Sequence, residues 1–263
     1  MEKKSRYIDR ERYFNELAQT SKEFYIDYIK VFKTLDCSSR ILEIGCGEGG
    51  NLLPFAESGC KVTGLDLAPN KIENAKAFFE KRDKQCDFRC SDFLTDTPPS
   101  EDERYDIILI HDVIEHIEPE GKTDFFSRVK LYLKPDGIIF FGFPAWHMPF
   151  GGHQQICRSR MCKLPFIHLL PTTLYRIWLK SFKENPSQID ELISIKRSKM
   201  TPEMFEKLCK RTGYSIKDRT LWLISPHYKA KFNLRPRRLC RIIGRIPFIR
   251  NFFTTSCFYI ITM

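Results

Sequence analysis

An α/β fold built on a doubly wound, mainly parallel sheet is the class this sequence predicts, and three observations carry it. The first is Ile41-Leu42-Glu43-Ile44-Gly45-Cys46-Gly47-Glu48-Gly49-Gly50-Asn51, a short apolar run ending in closely spaced glycines. Such a run is a buried strand turning sharply into a helix, with no side chains to keep a ligand from the backbone. The second is residues 105–111, Tyr-Asp-Ile-Ile-Leu-Ile-His, a continuous apolar run of the kind buried on both faces of a parallel sheet. The third is order: five strand-like runs alternate with helical ones, which argues for right-handed crossovers.

The elements follow in sequence. Residues 5–35 carry apolar positions at helical spacing (Tyr13, Leu17, Phe24, Tyr28, Val31, Phe32, Leu35), which predicts one or two helices. After the glycine turn, 51–58 reads as a helix and 60–67 as the second strand. Pro69 and Asn70 open a helix through Ile72, Ala75, Phe78 and Phe79. A third strand is expected around 86–90, then a polar loop at 94–104 and the strand at 105–111. A helix at 121–133 ends in the turn Lys134-Pro135-Asp136-Gly137, and the fifth strand occupies 138–144. Residues 145–200 depart from a minimal core: an aromatic, glycine-containing run with histidines leads into helical pieces. Thr201-Pro202-Glu203 then caps a helix running through Phe205 and Leu208 to a stop at Gly213. Runs 214–225 and 254–262 read as two more strands.

Composition sets outer limits. At 263 residues the chain accommodates one α/β domain with an insertion, and 42% hydrophobic with 29% charged residues counts against disorder. The net charge of +10 is uneven: residues 226–263 hold eight bases and no acid, so the other 35 of the 43 bases are nearly matched by 33 acids. Ten cysteines occur without a single CxxC pair, which predicts reduced thiols rather than a disulfide framework or zinc finger. No run approaches 18 uninterrupted apolar residues, and the polar start Met1-Glu2-Lys3-Lys4-Ser5-Arg6 is no signal core, so the expected location is the cytoplasm.

Two ligand classes use a glycine turn after a strand. Gly45, Gly47 and Gly50 satisfy the dinucleotide pattern, which keeps an NAD(P)-dependent oxidoreductase open as an alternative. Glu43 separates the two, because a carboxylate at the strand end repels a pyrophosphate but holds a cationic amino-acid moiety. With Glu43 two residues ahead of Gly45, the stretch resembles motif I of the class I S-adenosylmethionine (SAM)-dependent methyltransferases, of the ubiquinone-pathway type. The resemblance spans roughly 38–144 with motifs in order, and returns more weakly at 201–225 and 254–263.

It implies a Rossmann-like, seven-stranded sheet whose strands six and seven form an antiparallel edge, with a helical cap insertion. The chain then divides into an N-terminal helical cover (1–36), a SAM-binding core (37–144), a substrate-cap insertion (145–200) and a completing part (201–263) that carries a basic insertion (226–250). SAM is the implied cofactor, with Glu43, Gly45, Cys46, Gly47 and Asn51 around its amino-acid end. Asp66 falls 21 residues after Gly45, where an acid holds the ribose hydroxyls, with Leu67 beside it. Helix capping is the other reading of Asp66. Asp92 resembles the family's adenine-amine acceptor, with Phe93 packing on the ring; a simple turn is the other reading there. His111 and Asp112 should lie at a strand's carboxyl end beside the crevice. Tyr7 and Tyr13 stand where a substrate mouth or a packed face would be.

Methyl transfer from a sulfonium needs alignment more than chemistry, and a base helps when the acceptor is a hydroxyl. His153, His147 and His168 lie in the expected cap and are the base candidates, His153 first, although each is also a plausible structural histidine. Asp112-Val113-Ile114-Glu115-His116 is similar to the segment on which some ubiquinone-pathway enzymes are thought to hold a divalent metal. On a helix Asp112, Glu115 and His116 would share a face, and two oxygens with an imidazole suit Mg²⁺ or Zn²⁺. The acceptor implied is a hydroxyl on a small or lipid-linked, amphiphilic molecule. In the basic stretch 226–253 apolar residues interleave with the charges, and a helix around 236–246 would resemble an interfacial segment. That favours an anionic membrane surface, on the inner face, over nucleic acid, for which no binding module is visible. A non-catalytic SAM-fold interaction protein is the remaining alternative.

Overall fold

The computed structural model describes residues 9–263; Tyr7 lies outside them. Helix α1 (Arg10–Thr20) passes through a π-helical turn, Ser21–Tyr25, into α2 (Ile26–Lys30). Asp9 caps the start, its carboxylate accepting the Arg12 N–H at 3.0 Å. Strand β1 (Arg40–Ile44) and helix α3 (Leu53–Glu57) flank the glycine turn. Then come β2 (Lys61–Asp66), α4 (Pro69–Glu80), β3 (Asp87–Cys90), β4 (Tyr105–His111) and α5 (Lys122–Val129). Strand β5 (Leu133–Phe143) starts earlier than the apolar run suggests. Leu133 already pairs with Tyr105, and a register shift absorbs the Lys134-Pro135-Asp136-Gly137 turn before Ile138 meets Ile107.

Residues 145–200 hold α6 (Thr172–Ser181) and α7 (Pro186–Ser198), packed around a small core of their own: Cys157, Cys162, Tyr175, Leu179, Ile189 and Leu192. Helix α8 (Pro202–Arg211) follows, capped by the Thr201 hydroxyl as its sequence requires. Beyond β6 (Ser215–Ile224) the basic stretch is broken into α9 (His227–Phe232), β7 (Arg237–Arg238), α10 (Arg241–Gly244) and α11 (Ile249–Phe252), and β8 (Ser256–Thr262) ends the described chain. The continuous helix expected at 236–246 is therefore not formed: Arg237 and Arg238 pair with β6 as β7, and Gly244 ends the four-residue α10.

The sheet runs β3-β2-β1-β4-β5-β8-β6-β7. Strands β1 to β5 are parallel, and β8 lies antiparallel between β5 and β6. All seven expected strands are present, and the two-residue β7 adds an eighth. Period-2 alternation divides the core. Ile108, Ile110, Ile139 and Phe141 face α5 and α8, while Ile107, Leu109, Ile138 and Phe140 face the layer of α1, α2, α3 and α4. Such two-sided burial is why the strands read as unbroken apolar runs. All ten cysteines are free, six of them buried as small hydrophobes.

Candidate active site

The carboxyl ends of β1, β2 and β4 converge on the glycine turn. Gly45 and Cys46 both donate their N–H to the Leu65 carbonyl, at 2.8 and 2.9 Å, which folds the turn back over β2. Gly45 sits at φ +74°, and a Cβ there would run into Val113, so this position must be glycine. The Cys46 thiol is buried, and burial pushes its pKa well up; it fills space rather than reacting.

Glu43 is 1% exposed. One of its oxygens accepts the Asn51 amide at 2.6 Å, and the other has no hydrogen-bond partner among the described residues. Burial, with the Asp66 charge adding to it, raises its pKa to about 8. A buried carboxyl with one orphan oxygen is a receptor for a cation, whose arrival would return it to the ionised form. Asp66 spends one oxygen on the Gly47 N–H (2.8 Å) and the other on the Ala68 N–H (2.9 Å), so it ties the glycine turn to the start of α4. Leu67 follows at 68% exposure, an apolar platform at the mouth.

Asp92 is exposed and closes a turn by accepting the Leu94 N–H at 2.9 Å. Phe93 corrects the expectation that it packs on an adenine: its ring is buried in the core against Phe125 and Tyr132, with centroids 5.2 and 4.9 Å away. Phe93 lies beyond the mostly exposed edge strand β3, and the apolar layer holding Phe125 and Tyr132 takes its ring before a ligand can.

At the end of β4, His111 Nε2 meets the Tyr25 hydroxyl at 2.8 Å and Nδ1 lies 3.4 Å from the Asp112 carboxylate. Asp112 is left-handed, φ +53°, a conformation rarely held without a functional or structural reason. The chain then forms a turn at 114–116 instead of the expected short helix. The one-face argument for Asp112, Glu115 and His116 fails with it. The groups that do meet are Glu115, His116 and His153, whose ligand atoms lie within 4.8 Å of one another.

This cluster joins the post-β4 turn to the cap. His153 Nε2 is 3.8 Å from a Glu115 oxygen, and the His116 and His153 rings are edge-on at 5.1 Å. Glu115 is 2% exposed and neither of its oxygens has a hydrogen-bond partner among the described residues. Burial drives its pKa well up, with the Asp112 charge adding, and burial drives the His153 pKa down, so His153 is neutral at neutral pH. Lys122, its Nζ bonded to the Ile114 carbonyl at 2.6 Å, is lowered by burial to about 8. Helix α7 pins the turn from above: Ser194 and Arg197 bond Glu118, and Ser198 bonds the Glu115 carbonyl.

The other two base candidates are held elsewhere. His168 is fully buried, Nε2 bonded to the Trp146 carbonyl at 2.8 Å and Nδ1 to the Gln154 amide at 3.2 Å. Both nitrogens are used, so His168 is a structural histidine and its place among the bases is corrected. His147 packs between Phe248 and Phe252, with ring centroids 5.0 and 5.1 Å away, joining the cap to the basic stretch.

Two contacts had no sequence signal of their own. Glu48, buried inside the glycine turn, pairs with Arg10 of α1, and the Ser21 hydroxyl donates to the Asn51 carbonyl at 2.7 Å. The N-terminal helices thus clamp the turn. Tyr25, which meets His111, lies in the π-helical turn, a feature frequent at functional sites.

Residues 41–137 match the family model described as "Methyltransferase domain". The ubiquinone biosynthesis O-methyltransferase of Bradyrhizobium sp. strain ORS 278 is 38% identical over 109 residues, a stretch that is 41% of this chain and 41% of that protein. The protein of that name from Actinobacillus pleuropneumoniae is 29% identical over 119 residues, 44% of this chain and 50% of its own length. The match therefore spans half or less of these relatives. Among solved structures, a SAM-dependent methyltransferase from Clostridium acetobutylicum superposes with a TM-score of 0.60 at 12% identity, covering 94% of this chain and 92% of its own. A magnesium protoporphyrin IX methyltransferase from Synechocystis, solved with bound S-adenosylhomocysteine, gives 0.56 at 14% identity over 94% of this chain and 84% of its own.

Proposed function

From a chain whose residues 41–137 are a methyltransferase domain and whose fold is that of the class I SAM-dependent methyltransferases, we propose an enzyme that methylates a hydroxyl on a small or lipid-linked acceptor. The observation that carries the reading is the orphan oxygen of buried Glu43, which suits an ammonium and not a pyrophosphate. The nicotinamide alternative loses its support at the same atom. SAM supplies an electrophilic methyl group on a sulfonium.

The residues of this chain then have four tasks. Glu43 anchors the cationic amino-acid end, Asp66 faces the ribose, and Leu67 and Asp92 stand at the adenine end. His153 takes the proton of the acceptor hydroxyl as its oxygen forms the bond to the methyl carbon and the carbon–sulfur bond breaks. Tyr25, His111 and Asp112 form the wall at the end of β4. Residues 145–200 act as the acceptor cap and 1–36 as the cover, the remaining parts dividing as the sequence suggests.

A second reading is favoured by the unpartnered oxygens of Glu115. Glu115, His116 and His153 have the donor set for a divalent cation of the Mg²⁺ or Zn²⁺ type. Such an ion would polarise the acceptor oxygen and make His153 a ligand instead of a base. Activity lost to a chelator and regained with metal selects this version; chelator-resistant activity selects the base.

The proposed partner surface is an anionic membrane. Arg241 and Arg245 are exposed beside exposed Ile242, Ile246, Phe248, Ile249 and Phe253, and each base near such a surface adds about 1 kcal/mol. Arg250 does not contribute, being buried against Glu203 and Glu206. Flotation with anionic vesicles tests the surface, and a chain that stays in the pellet would reject it. No helix among the described residues is long and apolar enough to cross a membrane.

Titration calorimetry with S-adenosylhomocysteine and, separately, NADH tests the central reading. Micromolar binding of the first alone upholds it, whereas binding of neither would favour an interaction protein.

A further inference from the structure

Between the π-helical turn at Ser21–Tyr25, β6 and the basic stretch lies a cavity of about 580 Å³, lined by Phe24, Trp222, Leu234 and three cations, Lys229, Arg235 and Arg238, with no acid in its lining. The fold holds these groups in place. Arg238 of β7 stands opposite Trp222 of β6 in the antiparallel ladder, its guanidinium 5.7 Å from the indole centroid. The left-handed Asn233, φ +55°, turns the chain back so that the Leu234 N–H reaches the Tyr228 carbonyl at 3.2 Å. Lys229 lies over the Phe24 ring and is paired with Glu23 at 2.8 Å, while Arg235 and Arg238 form no ion pair among the described residues. Trp222 is nine-tenths buried, and its indole N–H has no hydrogen-bond partner among the described residues.

Two guanidinium groups without an ion-pair partner beside apolar walls define a receptor for an oxyanion carried on an apolar body. We propose that this cavity binds a phosphate group: Arg235 and Arg238 take the oxygens, and Phe24, Leu234 and the Trp222 ring receive the attached apolar part. Arginine matches phosphate geometry by paired donors, which separates this site from diffuse attraction to a charged surface. It is also separate from the crevice at Glu43, because β4, β5 and β8 stand between β1 and β6. The inference is therefore independent of methyl transfer.

The test uses the full chain and two probes, monomeric dihexanoyl phosphatidic acid and inorganic phosphate, followed by tryptophan fluorescence and calorimetry. The expected result is one-to-one saturable binding, weakened roughly tenfold or more in an Arg235→Ala/Arg238→Ala double variant with S-adenosylhomocysteine affinity unchanged. Both arginines are exposed, so that variant keeps its core. In Trp222→Phe the fluorescence response disappears while calorimetric binding remains. Tighter binding of phosphatidate assigns a lipid headgroup, and equal affinity for both probes assigns a free phosphate; either upholds the site. Absence of saturation by both probes, wild-type affinity in the double variant, or equally tight binding of uncharged dihexanoyl glycerol overturns it.

Discussion

Replacing His168 with glutamine removes a titrating group from the centre of the cap while leaving an amide able to bond the same neighbours. In the native chain His168 is fully buried, and burial holds its pKa at about 4 against an ordinary 6.5, opposed by its bond to the Trp146 carbonyl. The folded pKa lies below the unfolded one, so the contribution is complete above pH 6.5 and is lost as pH falls toward 4. At pH 5 the unfolded chain has taken up this proton and the folded chain has not. At about 1.36 kcal/mol per unit, that difference costs the native protein about 2 kcal/mol relative to pH 7.5. Denaturant unfolding at the two pH values measures it. His168→Gln should lower stability at pH 7.5 by about 1–3 kcal/mol, from imperfect hydrogen bonding, and lose about 2 kcal/mol less than wild type on moving to pH 5. An unchanged pH dependence would refute the buried neutral imidazole. A loss of turnover with stability and pH response intact would return His168 to the bases.

Three further outcomes follow from the site and its surroundings. Glu43→Gln should weaken SAM binding by roughly tenfold or more, measured by calorimetry. Because the folded pKa of Glu43 is raised to about 8, wild type loses stability as pH climbs from 4.5 toward 8, and the variant should not share that loss in denaturant unfolding. His153→Ala should cut turnover by about 10²–10⁴-fold without altering S-adenosylhomocysteine affinity, and wild-type kcat/KM should fall as pH drops through the lowered histidine pKa below 6.5. Wild-type turnover in the variant would exclude His153 as the base. Arg250→Ala strands Glu203 and Glu206 and should cost about 2 kcal/mol in thermal or chemical unfolding, short of the value for a fully buried pair because both glutamates are about one-third exposed.

What the sequence disclosed and what it hid divide along physical lines. The strands at 41–44 and 105–111 were legible because burial on both faces makes them almost wholly apolar. Glu43 was legible because a carboxylate in such a strand has no packing reason to be there. Spacing arguments failed where the assumed local geometry was not adopted. Asp112, Glu115 and His116 share a face only on a helix, and the left-handed Asp112 leads into a turn instead. The partner that replaces Asp112, His153, stands 38 residues beyond Glu115 and is brought in by tertiary packing of the cap. The same holds for Tyr25 with His111 and Arg10 with Glu48, which periodicity places on packed stripes without saying what they meet. Phe93 was misread because a local motif does not state which way a ring turns. The basic stretch departs from its helical spacing because Arg237 and Arg238 are drawn into the ladder with β6 and Gly244 closes α10.

The position of β8 has a consequence for synthesis. The last described strand lies inside the sheet, between β5 and β6, and nearly all its residues are buried. A ribosome at ~5–20 residues per second needs on the order of ten seconds to extend the chain from β5 to β8. Throughout that interval the apolar edge of β5, Ile139 to Phe143, has no neighbour on that side. The nascent protein thus carries an open, sticky edge until β8 arrives, and whatever delays that arrival prolongs the exposure from which aggregation should begin.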